Sequence, residues 1–352
     1  MKPFTLGSRI LSPDHPCYII AEMSANHGGS LNKAKEIVLA AKRAGADAIK
    51  LQTYRPDTIT LHSNKQDFLL PSENAWSDHG SLFDLYERAF TPWEWHAELF
   101  SLAKKTGIDI FSTAFDETAV ELLESLSTPA YKIASPEITH IPLIKVIAQT
   151  KKPVIMSTGV AELSDIALAV RTLKDNGCEN IVILKCCSSY PAPYETIHLN
   201  TIPNIAETFG CLAGYSDHTL GGAIPIAAAV LGAKVIEKHL VLKKTDETID
   251  SFFSSDEAEF TQIVNDIRSA EKALGQVSYE LDEESQKNYW GRRSIYISAN
   301  IGIGDVFTDK NLQVVRPHFG LHPKYWADVI GRKCAMILEV GDRLTIEAVD
   351  WT

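Results

Sequence analysis

The chain has 352 residues, of which 45% are hydrophobic and 22% charged, so a packed core is expected and intrinsic disorder is excluded. The 34 Lys and Arg against 45 Asp and Glu give a formal net charge of -11, which argues against a general nucleic-acid or anionic-membrane surface. A small anionic substrate stays compatible with this charge, because a few basic groups in a pocket suffice to hold a phosphate. The length fits about two domains.

The sequence carries no targeting or membrane signal that we can identify. No apolar run typical of a secretory signal precedes Pro13, and the longest apolar stretch, 224–236, is shorter than the roughly 20 residues of a membrane-spanning helix. The six cysteines lack a metal-binding spacing, so we expect reduced thiols, with a redox pair at Cys186 and Cys187 as the alternative. These features predict a cytoplasmic protein without a membrane span.

Residues 17–275 alternate short apolar runs with amphipathic stretches that end in glycine, which is typical of repeated βα units. The predicted strands are 18–21, 48–52, 109–112, 130–134, 154–157, 180–185, 212–215 and 235–239. The predicted helices are 31–44, 93–106, 117–126, 143–150, 163–176, 223–231 and 256–274. Eight such units predict a (β/α)8 TIM barrel. The alternative is an open doubly wound sheet, but no GxGxxG turn follows the first strand.

Two further segments interrupt or follow this pattern. The polar stretch 55–91, with a short helix near 82–89, has the length of a lid or binding loop. After the barrel domain, 1–275, we expect a charged linker, 276–291, and a small second domain, 292–352. That domain is expected to contain short strands at 294–297, 313–315 and 343–346.

Two histidines lie at the ends of neighbouring predicted strands, where a barrel places its functional groups. His218 follows the seventh strand and His239 ends the eighth. Their imidazoles could share one divalent ion, such as Mn²⁺ or Co²⁺, that acts as a Lewis acid. The alternative is that both are hydrogen-bonded structural residues.

Lysines also cluster at the strand ends. Lys50, Lys132 and Lys238 could form a cage for a phosphate and a carboxylate. Hydroxyl groups that could add donors belong to Thr113, Ser135 and Ser157. The alternatives are ion pairs with Glu22, Glu137 or Glu237, or a single Schiff-base lysine.

Carboxylates at the predicted barrel mouth supply candidates for acid or base catalysis. Glu22 ends the first strand, and Glu137 follows the fourth. Asp116 is a further candidate, but it also precedes a predicted helix and could serve only as the helix N-cap.

Motifs along nearly the whole chain resemble the sialic acid synthase family, whose C-terminal antifreeze-like (SAF) domain would begin near Arg292. The motifs that carry the resemblance are 21–29 (AEMSANHGG), 49–53 (IKLQT), 131–135 (YKIAS), 190–194 (YPAPY), 214–219 (GYSDHT) and 237–239 (EKH). Within the family, segments 22–27 and 85–96 resemble members that form pseudaminic acid more than those that form N-acetylneuraminate.

The resemblance implies a condensation of phosphoenolpyruvate with an open-chain N-acetylated amino sugar. Positions that match phosphoenolpyruvate-binding residues are Lys50, Thr113, Lys132, Ser157, Ser188 and Ser216. Positions that match the sugar side are Glu22, Gln52, Tyr190 and Asp250, with Glu137 near the reacting carbon. His218 and His239 would hold the metal, for which we expect Mn²⁺, with Mg²⁺ or Co²⁺ as alternatives.

The resemblance also implies a homodimer with exchanged SAF domains, in which Arg316 reaches over the barrel of its partner. Three alternatives stay open: a synthase that forms N-acetylneuraminate or legionaminate instead, a Schiff-base aldolase that uses Lys132 or Lys238, and a non-catalytic carbohydrate-binding module. For a pseudaminate-forming member, the product points to bacterial surface glycans or flagellin modification.

Overall fold

The computed structural model describes residues 2–352 and divides into two compact units. The first unit ends at Gly275, and the second is Gln276–Thr352. None of the helices formed by residues 2–352 combines the length and the apolar character needed to cross a membrane.

Eight parallel strands of the first unit form a closed barrel, which confirms the predicted TIM-barrel fold. A two-stranded antiparallel hairpin, β1 (Phe4–Leu6) and β2 (Arg9–Leu11), precedes them. The barrel strands are β3 (Tyr18–Glu22), β4 (Ala48–Thr53), β5 (Asp109–Ala114), β6 (Tyr131–Ile133), β7 (Val154–Ser157), β8 (Ile181–Cys186), β9 (Leu212–Asp217) and β10 (Val235–His239). The barrel closes where β10 pairs with β3, so that His239 lies opposite Glu22. All eight predicted strands are present, and no boundary differs by more than two residues.

Helices follow the strands around the barrel, and others lie in the loops and the second unit. They are α1 (Leu31–Arg43), α2 (Pro56–Ile59), α3 (Leu82–Ala89), α4 (Trp93–Thr106), α5 (Glu117–Ser125), α6 (Ile141–Gln149), α7 (Leu163–Asp175), α8 (Thr201–Phe209), α9 (Ala223–Val230), α10 (Glu257–Leu274), α11 (Glu283–Lys287) and α12 (Trp326–Val329). The sequence pattern did not predict α8. Only Ile202 and Ile205 are buried on this helix, and Pro203 interrupts the pattern, although proline is tolerated in a first helical turn.

The barrel interior is built in two layers. Its lower layer is an apolar cluster, to which the hairpin contributes Leu6 and Leu11 and the strands contribute residues such as Ile155 and Val235. Side chains two positions further along the same strands face the same side, because strand residues alternate between faces. These positions hold polar groups, including Ser157 and Glu237, so the carboxyl ends of the strands form a polar mouth above an apolar floor.

The second unit is a small β-rich unit with its own core. Strands β11 (Ser294–Ile297) and β12 (Leu312–Val315) pair antiparallel, as predicted. The third predicted strand, 343–346, is wrong: Arg343 forms only an isolated bridge with Tyr296. The core consists of Ile295, Ile297, Ile301, Phe307, Leu312, Val329, Cys334, Leu338, Leu344, Ala348 and Val349. Segment 276–291, expected as a linker, contains the short helix α11.

Gly214 in β9 tests how closely the barrel is packed. A Cβ atom there would lie 2.3 Å from the carbonyl oxygen of Val235 and 2.5 Å from a methyl group of Leu184. We expect Gly214→Ala to destabilise the protein by about 2 kcal/mol or more, because the neighbouring backbone would have to move. Chemical denaturation measures this change, with Gly291→Ala as control, since a Cβ at Gly291 meets nothing within 4 Å. Equal unfolding midpoints for the two variants would contradict the expected packing.

Candidate active site

A cavity of about 330 Å³ lies at the carboxyl ends of the barrel strands. It brings together thirteen of the sixteen site residues that the sequence predicts, leaving out Glu137, Lys238 and Arg316. The thirteen are Glu22, Lys50, Gln52, Thr113, Lys132, Ser135, Ser157, Ser188, Tyr190, Ser216, His218, His239 and Asp250. Since these residues come from all eight barrel strands or the loops after them, the barrel fold itself assembles the cavity.

The geometry contradicts the prediction that Lys238 belongs to the lysine cage at the barrel mouth. Glu237 and His239 line the cavity, whereas Lys238 between them faces the opposite side of β10. Its ammonium is buried and donates to Asp217 Oδ2 and to the carbonyl oxygen of Thr219, each at 2.6 Å. We therefore remove Lys238 from the substrate-binding residues and from the Schiff-base candidates, and assign it a structural ion pair.

Glu137 and Arg316 lie outside the residues that line the cavity. Glu137 belongs to a single helical turn after β6, directly beyond Ser135 and Pro136, which do line it. Its Oε2 is buried and has no hydrogen-bond partner within residues 2–352. Burial raises the pKa of Glu137 from 4.5 to about 7. Arg316 belongs to the second unit, where it is exposed directly after β12.

Lys50 is held by carboxylates inside the cavity. Its Nζ lies 2.6 Å from Glu22 Oε2 and 3.5 Å from Glu237 Oε1, and it donates to Thr113 Oγ1 at 3.1 Å. Burial alone would lower the pKa of Lys50, but the two carboxylates outweigh burial and raise it. The two carboxylates therefore favour the charged form of Lys50, and the ion pairs considered as an alternative from the sequence are present here.

Lys132 has different surroundings. Its Nζ donates to Ser157 Oγ at 2.6 Å and to the carbonyl oxygen of Ile133 at 3.1 Å. No carboxylate within residues 2–352 forms an ion pair with it, and burial lowers its pKa. An anionic ligand would supply the missing counter-charge, while a neutral amine would suit a Schiff base, so both chemistries stay open at Lys132.

The two predicted metal-binding histidines lie next to each other in the lining of the cavity. Their ring centroids lie 5.4 Å apart at an interplanar angle of 65°. His218 Nδ1 donates to the carbonyl oxygen of Cys187 at 2.9 Å, which leaves Nε2 as its free ring nitrogen. His239 Nδ1 is buried without a hydrogen-bond partner in residues 2–352, and burial lowers the pKa of this imidazole well below its usual value.

A neutral imidazole with an unpartnered nitrogen is the form that binds a metal ion, and burial holds His239 in that form. His218 offers its free Nε2, but Cys186 and the carbonyl group of Cys187 outweigh burial and raise its pKa, so metal binding there must displace a proton from the ring. Within residues 2–352, no three His, Cys, Asp or Glu side chains are grouped to hold one. A metal at this place would consequently have two imidazole ligands and would complete its coordination with water or substrate oxygens.

One side of the cavity is apolar, which the sequence did not predict. Helix α3 contributes Leu85, Tyr86 and Ala89, and residues after β4 and β5 contribute Tyr54 and Phe115. The Tyr54 ring lies 5.1 Å from that of Phe115 and 5.6 Å from that of Tyr86, in edge-to-face contact. We call these five residues the apolar wall. The one usable signal was the length of segment 55–91, which indicates a binding loop but not which of its residues face a ligand.

Comparison with known proteins adds to this geometry. The model of the NeuB family matches residues 37–279, and that of the SAF domain matches residues 292–349. A pseudaminic acid synthase from Campylobacter jejuni is 44% identical over 94% of this chain and 96% of its own. One from Helicobacter pylori is 40% identical over 95% of this chain and 98% of its own.

Among solved structures, a spore coat polysaccharide biosynthesis protein from Bacillus subtilis covers 100% of both chains with a TM-score of 0.68 at 31% identity. The matched families span the barrel and the second unit in the order that the motifs predicted. The family prediction is thereby confirmed: the chain belongs to the NeuB family and carries a C-terminal SAF domain.

Proposed function

We propose that this chain catalyses the formation of pseudaminic acid from phosphoenolpyruvate, 2,4-diacetamido-2,4,6-trideoxy-L-altrose and water, with release of phosphate. A bond forms between C3 of phosphoenolpyruvate and the aldehyde carbon of the open-chain sugar, whose oxygen takes up a proton. Water adds at C2, and the bond from that carbon to the phosphate oxygen breaks. The observation that carries the proposal is the single cavity that joins cationic groups, sugar-binding acceptors and an apolar wall, in a chain 44% identical to a pseudaminic acid synthase.

The cationic side of the cavity fits phosphoenolpyruvate. Lys132 lacks a carboxylate partner within residues 2–352, and Lys50 stays charged beside it, so the phosphate and carboxylate of the ligand would meet two ammonium groups. The hydroxyl groups that would donate to the same ligand are Thr113, Ser135, Ser157, Ser188 and Ser216.

The opposite side fits the sugar. Gln52, Tyr190 and Asp250 offer polar groups for hydroxyl and acetamido groups, and the apolar wall offers contacts for methyl groups. A 6-deoxy sugar with two acetamido groups carries three methyl groups, which favours it over a more hydroxylated sugar. Glu22 and Glu137 are the residues that we assign to proton transfer, Glu137 because its raised pKa keeps it partly protonated near neutral pH.

His218 and His239 are the residues that we assign to the metal, with Mn²⁺ as the expected ion and Mg²⁺ or Co²⁺ as alternatives. A divalent ion held there supplies a Lewis acid that polarises the sugar aldehyde. The chain's own part is to keep His239 neutral by burial and to fix the tautomer of His218 through the carbonyl oxygen of Cys187.

Phosphate release from phosphoenolpyruvate with Mn²⁺ tests the function. We expect release with the trideoxy-diacetamido-altrose to exceed release with N-acetylmannosamine or the legionaminate precursor, and we expect chelation to abolish it and Mn²⁺ to restore it. Preference for another sugar would overturn the pseudaminate assignment and keep the chemistry. Absence of release with every sugar, together with borohydride trapping of pyruvate on Lys132, would replace the synthase with an aldolase.

The pH dependence of stability tests the burial of Glu137. Because its pKa is about 7 in the folded chain against an ordinary 4.5, the folded state keeps a proton that the unfolded state releases. The free energy of unfolding should therefore fall as pH rises from about 4.5 to about 7 and level off above that. Glu137→Gln cannot ionise and should lack this part of the fall, a difference of about 3 kcal/mol at most. Denaturant unfolding at pH 5 and pH 8 measures it, and parallel pH curves for both proteins would contradict it.

We further propose a homodimer in which the SAF domain of each chain lies over the barrel of the other and Arg316 contacts the sugar in trans. Two observations support this proposal. Arg316 is exposed and forms no ion pair within residues 2–352. Val277 and Tyr279, in the segment between the two matched families, are 93% and 97% exposed in the single chain, which is unusual for residues of this type.

Complementation tests the exchange. Arg316→Ala and His239→Ala should each abolish most activity alone, and a mixture of the two after subunit exchange should recover about a quarter of it, because one hybrid site then has both residues intact. Phosphate release measures the recovery, and mass analysis of differently tagged chains verifies the exchange. Verified exchange without recovery would contradict the trans arrangement.

We place this activity in the cytoplasm, where phosphoenolpyruvate is made. Its product would then serve bacterial surface glycans or the modification of flagellin.

A further inference from the structure

Ser24 occupies an unfavourable backbone conformation at the cavity. It follows β3 by two residues and is 4% exposed, and its φ is 45°, in the left-handed region that favours glycine. This conformation costs a non-glycine residue on the order of 1 kcal/mol. Strained backbone of this kind persists where the surrounding structure imposes it, and it is concentrated at functional sites.

The hydroxyl group of Ser24 joins two residues that face the sugar side. Its Oγ lies 2.5 Å from Asp250 Oδ2 and 3.0 Å from Gln52 Nε2. Burial raises the pKa of Asp250, and with this side chain ionised the Ser24 hydroxyl donates to Asp250 and accepts from the Gln52 amide. The second N–H of that amide donates to Glu22 Oε1 at 3.0 Å. The direction of every hydrogen bond in this chain of four side chains is thereby fixed.

This hydrogen-bond network determines which polar atoms of Gln52 and Asp250 remain available to a ligand in the cavity. Both N–H groups of Gln52 and one oxygen of Asp250 are used inside it. Gln52 and Asp250 therefore present the amide oxygen and the second carboxylate oxygen to the cavity that they line. Two acceptors in a set orientation suit the hydroxyl and amide N–H donors of an amino sugar.

The attachment of the loop that carries Asp250 does not depend on Ser24. Asn26 Nδ2 donates to Ser254 Oγ at 2.9 Å and to the carbonyl oxygen of Leu240 at 3.0 Å. Thr248 Oγ1 donates to Asn26 Oδ1 at 2.7 Å. Because Asn26 already ties this loop to the segment after β3 at three points, the hydroxyl of Ser24 is free for a role other than holding the loop.

We infer that Ser24 is a positioning residue for the sugar: its hydroxyl orients Gln52 and Asp250 so that both present acceptor oxygens to the substrate. The inference rests on the proposed function, since it concerns the sugar half of that reaction. The strained backbone is kept because glycine, which would be unstrained there, has no hydroxyl to offer.

Ser24→Gly tests the role of the hydroxyl group separately from the backbone strain. The variant removes the hydroxyl and relieves the backbone, so its unfolding midpoint should exceed that of Ser24→Ala, which loses the same hydrogen bonds and keeps the strain. Its KM for the sugar should rise about tenfold to a hundredfold, because a buried amide and a buried carboxylate each lose a partner. Its KM for phosphoenolpyruvate should stay within about twofold, since the cationic side is untouched.

Ser127→Gly is the matched control. Ser127 also has a positive φ, of 57°, but lies exposed between α5 and β6, away from the residues that line the cavity. Ser127→Gly should unfold at a higher midpoint than the wild type, because glycine relieves the positive φ, and it should keep wild-type kinetics for both substrates. Ser24→Ala, which keeps the strain and loses the hydroxyl, should match the sugar defect of Ser24→Gly at lower stability.

An unchanged sugar KM in a folded Ser24→Gly protein would overturn the inference, and so would equal rises in the KM of both substrates. Either result with an active wild type would leave the proposed function intact. Failure of the wild type to release phosphate with any sugar would instead remove the proposed function, and the inference with it.

Discussion

The two-residue repeat of the barrel strands is the constraint on which the rest of the structure depends. Val235, Glu237 and His239 face the interior from one strand, with the apolar residue lowest and the polar residues at the mouth. Ala48 and Lys50 repeat the order on β4. The apolar residues build the floor that keeps the barrel closed from below, so the same repeat that stabilises the fold also delivers the reacting groups to one end.

Burying this many charges in one cavity has an energetic cost that pairing offsets only in part. Lys50 is compensated by Glu22 and Glu237, and its charge is therefore stable before any ligand arrives. Lys132, which has no carboxylate partner within residues 2–352, is left with a lowered pKa. An anionic ligand removes that imbalance, so binding and the electrostatic stability of the barrel mouth are linked.

The barrel could be predicted from the sequence because short apolar runs alternate with amphipathic stretches that end in glycine. The sequence could not predict α8, where two buried isoleucines and a proline give too little pattern. Strand ends located the site but not the direction of each side chain: Lys238 ends a strand as Glu237 does, yet it pairs with Asp217 on the other face. The alternation rule, applied residue by residue, would have separated them.

The apolar wall and the role of Ser24 were beyond the sequence for a different reason. Leu85 and Tyr86 lie on α3, a short helix within segment 55–91 whose contacts are set by tertiary packing. The local sequence pattern does not show that their side chains line a cavity. Ser24 differs from an ordinary loop serine only in its backbone φ of 45°, which the residue type does not reveal. Both are conformational properties, and both belong to the part of the cavity that we assign to the sugar.

Strand ends and the loops after them both contribute residues to the candidate site. The two lysines that we assign to phosphoenolpyruvate, Lys50 and Lys132, come from the strands themselves, whose positions are fixed by the closed hydrogen-bonded barrel. The groups that we assign to the sugar include Tyr86 and Asp250, from the segments after β4 and β10, beside the strand residues Glu22 and Gln52. Loops change at little cost to the barrel, so a change of sugar is made most readily through loop residues, whereas a change of reaction requires a new barrel mouth. Ser24, which joins a loop carboxylate to a strand amide, lies where these two requirements meet.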